Sequence, residues 1–508
     1  MPQLSKQPFY RAMEMVPGLL VWATFIASAV LSFVRPVWVV LFIIILSILW
    51  LLRVLYFVIY LLVTWRQYQS NALIDWSARR KQYPDQSDNI VHAVVLPAYT
   101  EPIAVLQKTL QSFTNGDYPS RNIIVVLAGE ARDASFPAIA QQLVAQFHAA
   151  FRDIFYTIHP AGLPGEIAAK GANAHWAGQK LLEYCRTHQI ATDDVIVSYF
   201  DSDTCVSGNY FSMLTAQFIE HPNRYRTAFQ PIAVYTNNIW ESPLFTRVSA
   251  FSTTFWLMTE LARPERLYTF SSHAMSLTAL VDVGFWQSDI VTDDSRIFLQ
   301  CFLHYDGDFT VTPLYATVSM NTAMSSTWWK SMINLYLQQR RWAYGVEHFP
   351  YLMWHFRSNH RIARATQWKF IWKLIEGTYT WATTPILLFI FGNLPLVIMR
   401  HGQQSANIIE INAPIVLQWL MGIAMIGIVL SAIIGTRLLP KRPSGMRPKK
   451  SIEMILQWAA LPVMLIAFGA IPATEAQTRL MIGRYLGFRV TKKLGSPAYD
   501  VYVEHRHA

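Results

Sequence analysis

Val195-Ile196-Val197-Ser198-Tyr199-Phe200-Asp201-Ser202-Asp203 is the stretch on which the fold turns. Its first six residues read as a buried strand, and two alternate carboxylates stand where that strand ends. Similar short apolar runs lie at 91–97, 122–128 and 154–159, and the segments 103–114, 136–150 and 170–187 between them carry helical periodicity. Strands alternating with helices predict a doubly wound α/β sheet. Ligands of such sheets bind outside the carboxyl ends of the strands. The polar motifs sit there: Pro97-Ala98-Tyr99 ends the first run and Asp201 ends the fourth.

Outward from this domain the chain becomes apolar. Of 508 residues, 53% are hydrophobic and 15% charged, against ~25% charged in ordinary soluble domains. The apolar excess is concentrated in 18–34, 37–63, 381–399, 414–436 and 452–473. A helix of about 20 apolar residues spans a bilayer, so several membrane segments are expected. A signal peptide is the competing reading of the N-terminus, where Lys6 and Arg11 precede an apolar run with Ala27-Ser28-Ala29. A second apolar block follows at once across Arg35-Pro36, which favours a helical hairpin. The basic residues at 77–81, 340–364 and 437–450 flank apolar blocks rather than forming one patch. With a net charge of +10, the positive-inside rule explains them better than nucleic-acid binding. Cys185, Cys205 and Cys301 are widely spaced, lack metal-ligand spacing and read as reduced cytosolic thiols.

The expected organisation is a transmembrane hairpin over 1–66, a cytosolic catalytic domain over 67–325 whose start, 67–89, is a polar linker, amphipathic interface helices over 326–366, transmembrane or re-entrant helices over 367–480, and a cytosolic tail over 481–508. Parity places the catalytic domain on the cytosolic side with the N-terminus. Pro462 and Pro472 make 452–473 a re-entrant or interfacial segment that does not cross.

Five motifs carry chemistry. Asp201 and Asp203 can hold Mg²⁺ or Mn²⁺ that bridges substrate phosphates, although D-x-D also occurs in turns and caps. In Thr292-Asp293-Asp294, Asp294 can act as general base, while Asp293 or Thr292 can simply cap the following helix. In Gln338-Gln339-Arg340-Arg341-Trp342, Arg341 offers a planar fork to diphosphate oxygens and Trp342 a flat face for a sugar; a basic aromatic helix at a membrane surface looks similar. Lys170-Gly171 with Asn173 opens a helix and can contact phosphate. Ala98, Tyr99 and Glu101, with Glu130 in Leu127-Ala128-Gly129-Glu130, flank the expected nucleotide pocket.

In this order and spacing, the motifs resemble the membrane-embedded family 2 glycosyltransferases, the group containing cellulose, hyaluronan and chitin synthases. The resemblance covers about 90 to 345 and the membrane segments. It implies a GT-A nucleotide-sugar domain between transmembrane helices. It implies Asp201 and Asp203 as metal pair and Asp294 as catalytic base. Gln338, Arg341 and Trp342 match the motif that binds donor diphosphate and acceptor end. Phe488-Arg489-Val490-Thr491-Lys492-Lys493 is similar to the F-x-V-T-x-K gating loop of cellulose synthases, which gives Phe488, Val490, Thr491 and Lys493 that role. The chain departs from the family at Thr100 in A-Y-N-E, at Glu130 where an Asp is usual, at Asp293 in T-E-D, and at Ser271-Ser272-His273-Ala274-Met275 in the acceptor region, where His273 becomes a candidate acceptor contact.

The expectation is an inverting, metal-dependent transferase moving sugar from a nucleotide diphosphate, a UDP-sugar in the first place, to a growing polysaccharide or glycolipid. Its alternatives are single transfer to a polyprenyl phosphate or lipid, and a non-catalytic nucleotide-binding or transport protein. Expected partners are the donor, a glycan or lipid-linked acceptor, membrane lipid and a second copy of the chain, with no nucleic acid. The expected place is the plasma membrane.

Overall fold

The computed structural model describes residues 6–401, 408–443, 445–446 and 449–487. Eight strands form one mixed sheet in the order β3-β2-β1-β4-β7-β6-β8-β5. They are β1 (Val91–Pro97), β2 (Ile123–Glu130), β3 (Asp153–His159), β4 (Val195–Tyr199), β5 (Cys205–Val206), β6 (Thr227–Val234), β7 (Ala274–Ser276) and β8 (Thr310–Ser319). The first four are mutually parallel in the order 3-2-1-4. β7 then pairs antiparallel with both β4 and β6, and β8 runs parallel to β6. The doubly wound half is therefore as expected, and an antiparallel extension continues it.

Every residue of β1, β2 and β4 is buried, which accounts for their near-continuous aliphatic composition: a parallel strand covered on both faces has no polar face to show. The covering helices include Ile103–Thr114, Phe136–Phe147 and Lys170–Thr187. Gly129 has a steric cause, since the Phe136 ring occupies the place a Cβ would take.

Among the described residues, five helical segments are long and apolar enough to cross a membrane: Pro8–Val34, Pro36–Ala72, Arg364–Met399, Asn412–Leu438 and Lys450–Met481. Phe33, Ile45, Ile59 and Val429 are each more than half exposed, an apolar surface that needs a nonaqueous neighbour.

Three expectations change. The polar segment 67–89 is not an open linker, because the second membrane helix continues to Ala72 and short helices follow at Trp76–Arg80 and Pro84–Asn89. Its basic residues serve the domain: Arg79 makes a two-pronged contact to Glu220, and the buried Arg80 donates to Ser87 and lies over Tyr118. The interface reading of 327–365 holds only in part. Trp328 and Trp329 are exposed. The helix His348–Ser358 instead buries Phe349, Tyr351, Leu352 and Phe356 in the main core, and its Trp354 packs on Phe9 and Tyr10 of the first membrane helix.

The two ends of Lys450–Met481 are tied to different parts of the chain. Arg247 Nε donates to Gln457 Oε1 at 2.8 Å, and Trp458 stacks on Phe255. At the other end Arg11, at the start of the first helix, donates to the carbonyls of Leu480 and Met481. Between these ends the α-helix is interrupted by a 3₁₀ turn at Gln457–Ala460 and a π turn at Ile466–Ala470.

Candidate active site

The carboxyl end of β4 delivers Asp201, and the helix Lys170–Thr187 delivers Lys170 from its first turn. The helix Asp293–His304 begins on the opposite side. These meet at one ammonium: Lys170 Nζ lies 2.8 Å from Asp201 Oδ1, 3.0 Å from Asp294 Oδ1 and 4.0 Å from the Tyr199 ring centroid. Burial works against that charge, but Asp201, Asp294 and Asp293 hold it well above the usual lysine range. Lys170, expected from sequence as a phosphate contact, bridges the two acidic motifs.

Gly171 is required by this approach. A Cβ there would stand 2.8 Å from Asp293 Cβ and 2.9 Å from the Gln287 carbonyl oxygen. Asp293, read from sequence as a possible cap, is buried, and it accepts a 2.5 Å hydrogen bond from the Tyr199 hydroxyl. Burial, reinforced by the neighbouring Asp294 charge, pushes its carboxyl up to about 7.

Asp201 Oδ2 accepts from Ser271 Oγ at 2.6 Å. Asp203 is only 3% exposed; its Oδ2 accepts from the Asn321 amide, and its carbonyl accepts from Asn237. Tyr235, just past β6, was not singled out from sequence. Burial raises its phenol far above the usual range, and the charges acting on it are Asp201, Asp203, Asp294 and Arg341. The charges of the D-x-D pair, Asp294 and the Arg/Trp run therefore all act on it. Trp342 faces its ring at 6.2 Å. Gln338, Arg341 and Trp342 are partly exposed within the helix Trp328–Ala343, and their spacing of three and four keeps them on one face. Arg340, inside the same run, turns away to Glu475 at 2.6 Å.

The nucleotide-side candidates divide. Ala98 is buried, with its amide bonded to the Ala128 carbonyl. Tyr99 is partly exposed, and Arg132 lies 5.1 Å from its ring centroid. Arg132 also pairs with Glu130, which is 5% exposed. Glu101, expected at the nucleotide pocket, accepts from Tyr99 N and from Ser202 Oγ. It clamps the β1 loop to the D-x-D loop. Asp133, missed in the sequence, does parallel work. It accepts from Thr100 N and from Ser135 N and Oγ, and these bonds outweigh burial to hold its carboxyl low. They fix Thr100 at a φ of 61°, a conformation uncommon for a β-branched residue.

His273 is the expected acceptor contact. It is fully buried, its Nδ1 on the Phe270 carbonyl, and burial lowers its imidazole to about 4. Phe488, Val490, Thr491 and Lys493 lie outside the described residues.

Behind the site, Thr292 Oγ1 donates to Glu347, Ser295 pairs with His348 at 2.7 Å, and the buried Arg296 lies 3.9 Å from the Tyr351 ring centroid. The helix that carries Asp294 is thereby fastened to the segment that follows the 338–342 run. Sequence offered no signal for this beyond a cluster of polar residues after Trp342.

No curated protein matches the sequence. Among solved structures, the mannosyltransferase PcManGT from Pyrobaculum calidifontis in complex with GDP-Man and Mn²⁺ is 14% identical over 86% of this chain and 99% of that one, with a TM-score of 0.42. S. aureus TarS 1–349 in complex with UDP-GlcNAc is 10% identical over 70% and 93%, with a TM-score of 0.36. These are loose likenesses. A family model described as glycosyl transferase family group 2 matches residues 196–468. That stretch is more than half of the chain and takes in Asp201, Asp294 and the 338–342 run, so the chain belongs to glycosyl transferase family group 2.

Proposed function

We propose that this membrane-associated glycosyltransferase transfers sugar with inversion from a nucleotide diphosphate donor to a glycan or lipid-linked acceptor, with Asp294 as general base. The observation that carries the proposal is the convergence of Asp201, Lys170 and Asp294 on one ammonium at the carboxyl end of the sheet. An acceptor hydroxyl attacks the anomeric carbon, a new C–O bond forms, and the bond from that carbon to the diphosphate oxygen breaks. The hydroxyl proton goes to Asp294 and the electron pair leaves with the diphosphate. Lys170 and Arg341 supply positive charge for that leaving group. Trp342 and Tyr235 supply ring faces for sugars.

A divalent cation fits Asp201 and Asp203. No group of three or more His, Cys, Asp or Glu forms a complete metal cage among the described residues. Two carboxylates at a strand end, completed by substrate phosphates, are how Mg²⁺ or Mn²⁺ is commonly held. The ammonium already seated against Asp201 shows that this end of the sheet favours positive charge. When bound, the metal would offset charge on the diphosphate. Lys450–Met481 is held near its start by Arg247 of the catalytic half and at its end by Arg11 at the start of the first helix, which supports a re-entrant segment and a catalytic domain on the N-terminal, cytosolic side.

Asp294→Asn tests the base. Transfer is expected to fall by at least about 100-fold while donor affinity, measured by calorimetry, stays within a few fold. Undiminished transfer would remove Asp294 from that role.

A further inference from the structure

Away from the site, a second charged cluster gathers where the helix Leu244–Leu261 meets the membrane segment that starts at Arg364. Glu260 is 4% exposed, and Arg263, Arg266 and Lys373 all surround it. Arg263 also donates to Tyr56 Oη, and its guanidinium carbon lies 4.6 and 5.2 Å from the Tyr56 and Tyr60 ring centroids. Lys373 donates to the Arg266 carbonyl and lies 3.8 Å from the Tyr268 ring centroid. One turn earlier, the exposed Lys369 donates to the Glu265 carbonyl at 2.7 Å. Three cations thus surround the Glu260 carboxylate, and Lys369 adds a fourth positive charge nearby. A clustered excess of positive charge this close to apolar surroundings is costly unless an anion joins it. Among the described residues Arg266 Nε is buried and makes no hydrogen bond, and Glu260 Oε2 lies 3.8 Å from it.

The surroundings say which anion. Trp256, Trp368 and Trp372 are 43%, 66% and 68% exposed, and two of them are chain neighbours of Lys369 and Lys373. Exposed tryptophans on membrane helices sit at headgroup level, so the cluster opens at the depth of lipid phosphates. Its inner members are locked among Tyr56, Tyr60 and Tyr268, while Arg266 and Lys369 form the accessible rim.

We infer that this charged cluster binds the phosphate of an anionic phospholipid headgroup, with Arg266 and Lys369 as contacts and the Glu260–Arg263–Lys373 core fixing their positions. The test places the full chain in nanodiscs of phosphatidylcholine with or without phosphatidylglycerol and follows retained lipid by native mass spectrometry, together with thermal stability. Phosphatidylglycerol is expected to be retained and to raise Tm. Arg266→Gln with Lys369→Gln is expected to weaken retention about tenfold and leave Tm in pure phosphatidylcholine unchanged. If that pair lowers Tm in pure phosphatidylcholine, Lys369→Gln alone is read instead. Lys441→Gln with Arg442→Gln, which removes equal charge elsewhere, is expected to leave retention intact. Equal loss in both pairs, or none in the first, overturns the site. If inorganic phosphate in phosphatidylcholine nanodiscs gives the same Tm rise, the occupant is a free anion and the lipid assignment fails.

Discussion

Asp293 is the residue whose charge is least settled by its position. It is buried, bonded to Tyr199 Oη, adjacent to Asp294 and near Lys170. Burial and the Asp294 charge raise its carboxyl from 3.8 to about 7. A raised acid favours the folded protein while it is protonated. Its contribution is complete below about pH 4 and is lost as pH climbs toward 7. Asp293→Asn keeps a neutral group of the same shape, so the variant is expected to lose less stability than wild type between pH 4 and pH 7. Thermal unfolding at several pH values checks this, and identical pH profiles would mean that Asp293 is ionised throughout. Neighbouring letters in one motif thus do different work. Asp294 is partly exposed at the mouth and pairs with Lys170, whereas Asp293 sits behind it, bonded to Tyr199 and packed against Gly171.

Among the elements, the helix Trp328–Ala343 has the most to coordinate. One face carries Gln338, Arg341 and Trp342 toward the site. The other holds Arg340 and Tyr336, which both meet Glu475, itself joined to Arg479. Gln339 donates to Ser249 on the helix beneath. The site-facing residues therefore depend on the C-terminal segment that leads to Phe488. Arg340→Ala and Glu475→Ala are each expected to lower both stability and turnover. Combined, they should show a coupling of about 1 kcal/mol in a double-mutant cycle on unfolding. Strict additivity would mean that the pair does not fasten the helix. Both carboxylate oxygens of Glu475 are engaged, which places this bridge above an isolated surface pair.

At the scale of the molecule, what sequence made legible follows burial. β1, β2 and β4 are covered on both faces and are written as aliphatic runs, and the helix Lys170–Thr187 falls where its periodicity placed it. β6 and β8 were not legible: Gln230 and Pro231 interrupt one, and the other alternates buried and half-exposed residues. The acidic motifs were legible because each needs its residue type at a strand end or helix start. Tyr235, Asp133 and Glu347 were not, because their roles come from what other elements bring to them. Nor did sequence show the internal bonds that Glu101 makes to Tyr99 and Ser202 and His273 makes to Phe270. The family match and the five apolar helices make this a membrane-associated glycosyltransferase. The central claim is that the Asp201–Asp203 end of the sheet drives sugar transfer with a divalent cation. The direct measurement is release of free nucleoside diphosphate by the protein in nanodiscs, across UDP- and GDP-sugars, with Mg²⁺ or Mn²⁺ and with chelator, for wild type and Asp203→Asn. The account predicts metal-dependent release from one donor that disappears in the variant. Release that survives chelation or the Asp203→Asn change would contradict it.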